Sequence, residues 1–116
     1  MSVKRTIRFY RTSSGKCPVE EFLDSLSGKA AQKVTWVLHL IEELETIPEQ
    51  YLKKLANDIW ECRIQFGGNT YRVLCFFDGS VVVLTHGFQK KTRKTPRIEI
   101  EKAESYRSDY THRRKK

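Results

Sequence analysis

Residues 59–88 read IWECRIQFGGNTYRVLCFFDGSVVVLTHGF. In the first part Trp60, Cys62, Ile64 and Phe66 alternate with Glu61, Arg63 and Gln65, the period of a strand with two unlike faces. Gly67-Gly68-Asn69 supplies residues that accept positive φ, Tyr71 to Phe77 runs back, Asp78-Gly79 turns the chain again, and Val81 to Phe88 follows. A three-stranded antiparallel meander is the expected result. Any two-residue loop in the first hairpin sets Arg63 and Arg72 on one face of the sheet, where two like charges crowd at a cost that an anionic ligand relieves. For His86 the parity stays open. A plain Asp-Gly turn puts it on the face opposite the arginines, and a single bulge reverses that.

Toward the C-terminus the same run becomes a cationic loop. Five of the nine residues from Gln89 to Arg97 are Lys or Arg and none is acidic. The strand is therefore expected to deliver His86, Phe88, Lys90 and Lys91 onto an exposed positive surface, which suits a ligand bearing phosphates and bases. Thr95-Pro96 is a cap and first-turn signal for a last helix carrying Ile100, Ala103, Tyr106 and Tyr110 on one stripe. Residues 112–116, HRRKK, are expected to fray.

Toward the N-terminus, YLKKLAND (51–58) reads as a loop holding Lys53 and Lys54. Before it, Pro18 with Glu20 and Glu21 opens a short amphipathic helix. A second helix follows Ser27-Gly28, with Ala30, Val34, Val37, Ile41 and Leu44 on its stripe. The pair reads as a hairpin whose surface carries more acid than base, a poor nucleic-acid face. Arg5 to Arg11 reads as a first strand. The order is β-α-α-β-β-β-α, an α+β fold in one domain spanning residues 1–116, of a length that buries a single core.

Charge is unevenly spread. The net charge is +8, and seven of those excess positive charges lie in residues 86–116. Basic surfaces of this kind neutralise phosphates, solubilise, or meet acidic partners, and charge alone favours nucleic acid. Cys17, Cys62 and Cys75 are odd in number and far apart, which argues against a disulfide framework or a cysteine zinc site. The basic N-terminus is followed by no long apolar run, so no membrane anchor is expected and a cytoplasmic location is the default.

The segments LANDIWECRIQFGGNTYRVLCFFDG and LTHGFQKKTRKTP, together with the order of elements, resemble the phage-derived Gp49-like branch of the HigB toxins in the RelE/ParE superfamily. The resemblance spans nearly the whole chain. It implies a RelE-like fold and an mRNA interferase of a type II toxin–antitoxin system. Such an enzyme cuts mRNA in the ribosomal (30S) A site and is restrained by a HigA-like helix-turn-helix antitoxin. A ParE-like gyrase poison, or a non-catalytic module binding nucleic acid or protein, is the alternative on the same fold.

Cleavage of RNA by its own 2′-hydroxyl needs a base for that oxygen, cations for the phosphorane, and an acid for the leaving 5′-oxygen. No cofactor and no metal is called for. Arg63 and Arg72 are the expected phosphate clamps and His86 the expected acid or base. Lys91 is counted with this catalytic set, since a lysine whose pKa is lowered by like charge can substitute for an imidazole. Lys90 and Lys94 are expected on RNA phosphates, with Lys53 and Lys54 reaching the same cleft. Phe88 either stacks on a base or closes the core, and Tyr106 either meets substrate or packs. No acidic partner for His86 is evident.

Overall fold

The computed structural model describes residues 4–114. The elements are β1 (Thr6–Phe9), α1 (Pro18–Asp24), α2 (Gly28–Glu43), β2 (Leu52–Ala56), β3 (Ile59–Phe66), β4 (Asn69–Asp78), β5 (Val81–Lys90) and α3 (Arg97–Arg114). They build one five-stranded sheet in the order β1-β5-β4-β3-β2, with β1 parallel to β5 and all other neighbours antiparallel. The α+β class is as expected, but the order gains a strand: residues 52–56 are not a loop but an edge strand paired with β3. Only Leu52 of that strand is fully buried, and exposed Lys53 and Lys54 give it the charged edge that discourages pairing with another chain.

Glycine sets both turns of the meander. Phe66 pairs with Asn69 across Gly67 and Gly68, whose φ values are +59° and +78°, and Asp78 pairs with Val81 across Gly79 at +61° and Ser80. A register shift then interrupts β4–β5: Leu74 lies opposite His86 while Cys75 lies opposite Leu84, so Thr85 is an extra residue. The Thr85 hydroxyl donates to the Leu74 carbonyl at 3.0 Å, satisfying a main-chain acceptor beside the irregularity. This bulge decides the parity that periodicity left open.

The sheet is covered on both faces. Under α1 and α2 lies the larger core, including Phe22, Val34, Val37, Ile41, Ile64, Val73 and Leu84. Cys62 and Cys75 belong to it as free thiols with sulfurs 3.9 Å apart, the hydrogen bond between them and burial both pushing the Cys75 thiol up. The helices stand where their sequence signals put them: Ser27 Oγ accepts from Ala30 N at 3.2 Å to cap α2, and Pro18 opens α1. Arg5 donates to the Leu44 and Glu45 carbonyls at 2.7 and 3.1 Å, tying the start of β1 to the end of α2.

Gly87 marks the tightest approach between layers. A β-carbon there would stand 2.3 Å from Phe22 Cδ2, so the α1 ring packs on bare backbone. Gly87→Ala is expected to destabilise the fold by about 1–3 kcal/mol through overpacking. A urea-unfolding midpoint equal to that of the wild type would show instead that Phe22 swings aside.

The opposite face is closed by α3 over Tyr10, Ile59, Leu74, Phe76 and Val83. This helix fully buries only Ala103 and is fastened largely by polar contacts. Tyr10 donates to Asp109 at 2.5 Å, and Tyr110 donates to Asp78 at 2.8 Å. Burial and that aspartate together push the Tyr10 phenol up to about 12. The helix does not fray at His112: it runs to Arg114, with Arg113 on Asp109 and Arg114 on Asp78. Lys115 and Lys116 lie outside the described residues. Nor does Thr95-Pro96 cap the helix in the expected way, because α3 starts at Arg97 and the Thr95 hydroxyl is engaged elsewhere.

Candidate functional site

Residues directly opposite one another on paired strands share a face, and alternate residues along a strand do too. Arg63 pairs with Arg72, Glu61 with Leu74, Arg72 with Phe88, Leu74 with His86, and Thr70 with Lys90. Arg63, Arg72, His86, Phe88 and Lys90 therefore all lie on the α3 face, with Glu61 among them. Lys53 joins them because it lies opposite Glu61, whereas Lys54 lies opposite Trp60 and sends its ammonium over that ring on the other face. Lys91 and Lys94 stand exposed in the loop after β5.

One buried carboxylate organises the cations. Glu61 is 1% exposed, and its Oε1 lies 3.0 Å from Arg72 Nε and 3.5 Å from Arg63 Nε, while Oε2 accepts from the Thr95 hydroxyl. Thr95 thus pins the cationic loop onto the arginine pair. Arg72, itself only 3% exposed, is drawn down from its usual pKa by burial, with Glu61 opposing the shift and Arg63 adding to it. Its Nε points away from hydrogen-bond geometry with Glu61 despite their closeness, and is left without a hydrogen-bond partner. Lys90 is likewise drawn down, first by burial and then by Arg72, Arg63 and Lys53, against the pull of Glu61. Four cations thus gather about a single negative group.

His86 belongs to a second cluster on the same face. It is 3% exposed, with Nε2 3.0 Å from Glu99 Oε1 on α3 and Nδ1 3.1 Å from Thr85 Oγ1. Phe88 stacks on the imidazole at a centroid distance of 5.9 Å, and Tyr106 meets it edge-on at 5.8 Å. Burial lowers the His86 pKa, and Glu99 works in the other direction. The ring is then neutral at pH 7, and since a carboxylate only accepts, Glu99 keeps the proton of that neutral ring on Nε2, leaving on Nδ1 a lone pair to which the Thr85 hydroxyl donates whenever it turns from the Leu74 carbonyl. The acidic partner absent from the sequence reading is Glu99, thirteen residues on in the chain.

Of the four residues expected on an exposed positive surface, Lys91 is exposed, Phe88 and Lys90 are half-buried, and His86 is buried. Arg72 and His86 are both buried, His86 under Glu99 and Tyr106 of α3 and Arg72 against Glu61. Each borders a cavity. A cavity of about 500 Å³ beside β5, past the end of β1, is lined by His86, Phe88, Gln89, Lys16, Lys102 and Tyr106. Another of about 370 Å³ opens on Arg63 and Arg72 from the α2 side. Phe88 and Tyr106, each read as substrate contact or core, both sit against the imidazole here.

Glu99, Thr95, Thr85 and Lys102 escaped the sequence reading. For Glu99 a signal existed: positions 99, 103, 106 and 110 form one helical stripe, so a carboxylate shared the face of the packing residues. Among the described residues no three His, Cys, Asp or Glu side chains are grouped as a metal site would require, and no helix is long and apolar enough to cross a membrane.

By its architecture the chain is a small α+β domain whose sheet carries a cationic cluster and a histidine–glutamate pair under one helix. The chain belongs to the family of phage derived Gp49-like proteins (DUF891), whose profile matches residues 21–108 and so takes in both clusters. That is a toxin-like family, associated with the toxins of toxin–antitoxin systems. Comparison with curated proteins finds no match.

Proposed function

We propose that the protein is the toxin of a type II toxin–antitoxin pair and acts as a HigB-like mRNA interferase, cutting RNA through its own 2′-hydroxyl. The observation that carries this reading is the placement of Arg63, Arg72, Lys90 and His86 on a single sheet face, with a carboxylate fixing each cluster. Arg63 and Arg72 hold the scissile phosphate and stabilise the phosphorane, each able to grip two oxygens. His86, neutral near pH 7 and oriented by Glu99, accepts or returns the proton. Lys90 on the same face adds a further cation beside the arginine pair. Lys53, Lys91 and Lys94 hold flanking phosphates.

So few groups gain from a scaffold that positions the substrate, which supports action on the ribosome rather than on free RNA. Membership of a toxin family supports an antitoxin partner of the helix-turn-helix class and a cytoplasmic setting. The test is primer extension on cellular mRNA during induction of the wild type, Arg72→Ala and His86→Ala at matched levels of folded protein. Discrete in-frame cuts, absent in both variants, are the expected result. Growth arrest with intact mRNA and damaged DNA would replace this reading with that of a gyrase poison.

A further inference from the structure

The cavity on the α2 side of the arginine pair has a composition that phosphate contact alone does not call for. Its volume is about 370 Å³, and it is lined by Lys33, Gln50, Tyr51, Arg63, Gln65 and Arg72, with Val37 of α2 as its one aliphatic residue. A space of that size admits one nucleotide. Three of the named residues are cationic and none is acidic, so the cavity selects an anion.

Its cations are held in place before any ligand arrives. Lys33 projects from α2 with its ammonium 4.5 Å from the Trp36 ring centroid. Arg63 donates to the Glu49 carbonyl at 3.4 Å. The only hydrogen bond of the Arg72 side chain among the described residues runs from Nη1 to the Tyr71 carbonyl at 2.9 Å, and Nε is buried with none. The Arg72 guanidinium has Glu61 as its counter-charge on the Nε side, yet its hydrogen bonds are incompletely met, which leaves it donors for a phosphate in the cavity it lines.

The remaining residues match the rest of a nucleotide. Tyr51 is half-buried and fixed at 84° to Trp36, which holds a flat ring at the wall of the cavity at little further loss of freedom. Gln50 and Gln65 each present an amide with both donor and acceptor, the equipment that reads the edge of an unpaired base. An acidic peptide would use the cations and leave the ring and amides idle.

We infer that this cavity is a nucleotide subsite in which Lys33, Arg63 and Arg72 hold a phosphate, Tyr51 stacks on the adjoining base, and Gln50 and Gln65 discriminate among bases. The inference deepens the RNA-cleaving reading and rests on it. Lys33 then contributes a cation from the otherwise acidic helical layer, and Gln50, Gln65 and Tyr51 select the base beside the same two arginines that hold the phosphate.

The experiment follows the side-chain amide signals of Gln50 and Gln65 by NMR in the intact chain, titrated in parallel with nucleoside 3′-monophosphates, inorganic phosphate and a hexaglutamate peptide. Saturable shifts with the nucleotides are expected, about tenfold weaker in Tyr51→Leu and in Lys33→Gln, in line with the loss of one stacked base or one charged contact. Affinities that are the same for inorganic phosphate, that favour the peptide, or that are unchanged in both variants would overturn the subsite. Cellular mRNA cleavage separates the two levels. Cuts abolished by Arg72→Ala without nucleotide shifts at Gln50 and Gln65 would remove the subsite and keep the interferase. Nucleotide shifts without cuts by the wild type would do the reverse.

Discussion

Glu61→Ala is expected to destabilise the protein by about 3–5 kcal/mol, because it leaves the buried Arg72 guanidinium with no counter-charge. The geometry that makes the loss large is the depth of the pair: the Arg72 and Glu61 side chains are 4% and 2% exposed, so water cannot take over the role of either. Arg63, at 28%, turns to solvent more easily. Thr95 loses its acceptor in the same variant, so the loop carrying Lys91 and Lys94 is freed as well. Chemical denaturation measures the first effect, and hydrogen exchange across residues 91–96 the second. The double variant Glu61→Leu/Arg72→Met is expected to recover most of the stability while abolishing cleavage, since apolar residues of similar size replace a buried pair at little cost. A midpoint for Glu61→Ala close to that of the wild type would mean that Arg72 escapes to water, and that Glu61 is not its anchor.

His86→Ala is expected to slow cleavage by about 10²–10⁴-fold, the range for losing a positioned proton carrier. Glu99→Gln is more discriminating because it alters charge with little change of shape. Glu99 opposes the lowering of the His86 pKa by burial, so removing its charge moves the histidine limb of the pH–rate profile to lower pH. A limb that stays in place would reduce Glu99 to a packing residue. Folding carries the same signature. A histidine whose native pKa lies below the usual value of about 6.5 binds its proton more readily when unfolded. Stability therefore falls as pH drops below that value and levels off beneath the native pKa. In His86→Gln this component of the pH dependence is expected to vanish.

Much of the sheet was legible because its signals are local. Gly67-Gly68 and Gly79 mark the turns, and alternation from Trp60 to Phe66 fixes a phase that carries across the first hairpin to set Arg63 beside Arg72. The phase is lost at Thr85, in a run where Val81, Val82, Val83 and Leu84 are all apolar and nothing in the pattern distinguishes one face from the other. Strand β2 escaped for a related reason: an edge strand that fully buries only Leu52 and exposes two lysines carries little periodicity. The burial of Arg72 and His86 is a tertiary fact. For His86 it follows from α3 lying across it, held by Tyr10, Asp78, Asp109 and Tyr110 through contacts spanning 32 and 99 positions of chain, and for Arg72 from Glu61, eleven residues away on the neighbouring strand. No window of neighbouring residues contains that information.

The extra residue at Thr85 divides β5 into two stretches that obey different rules of change. From Val81 to Leu84 one apolar residue can replace another of similar volume at modest cost, since each needs only to fill core. The number of residues there is another matter. Deleting one would restore the plain alternation and rotate His86, Phe88 and Lys90 toward α1, placing an imidazole and an ammonium against Phe22 and bringing Gly87 under α3. This segment is thus forgiving in composition and strict in length, and the chemistry of its second half depends on a residue count rather than on the identity of any residue counted.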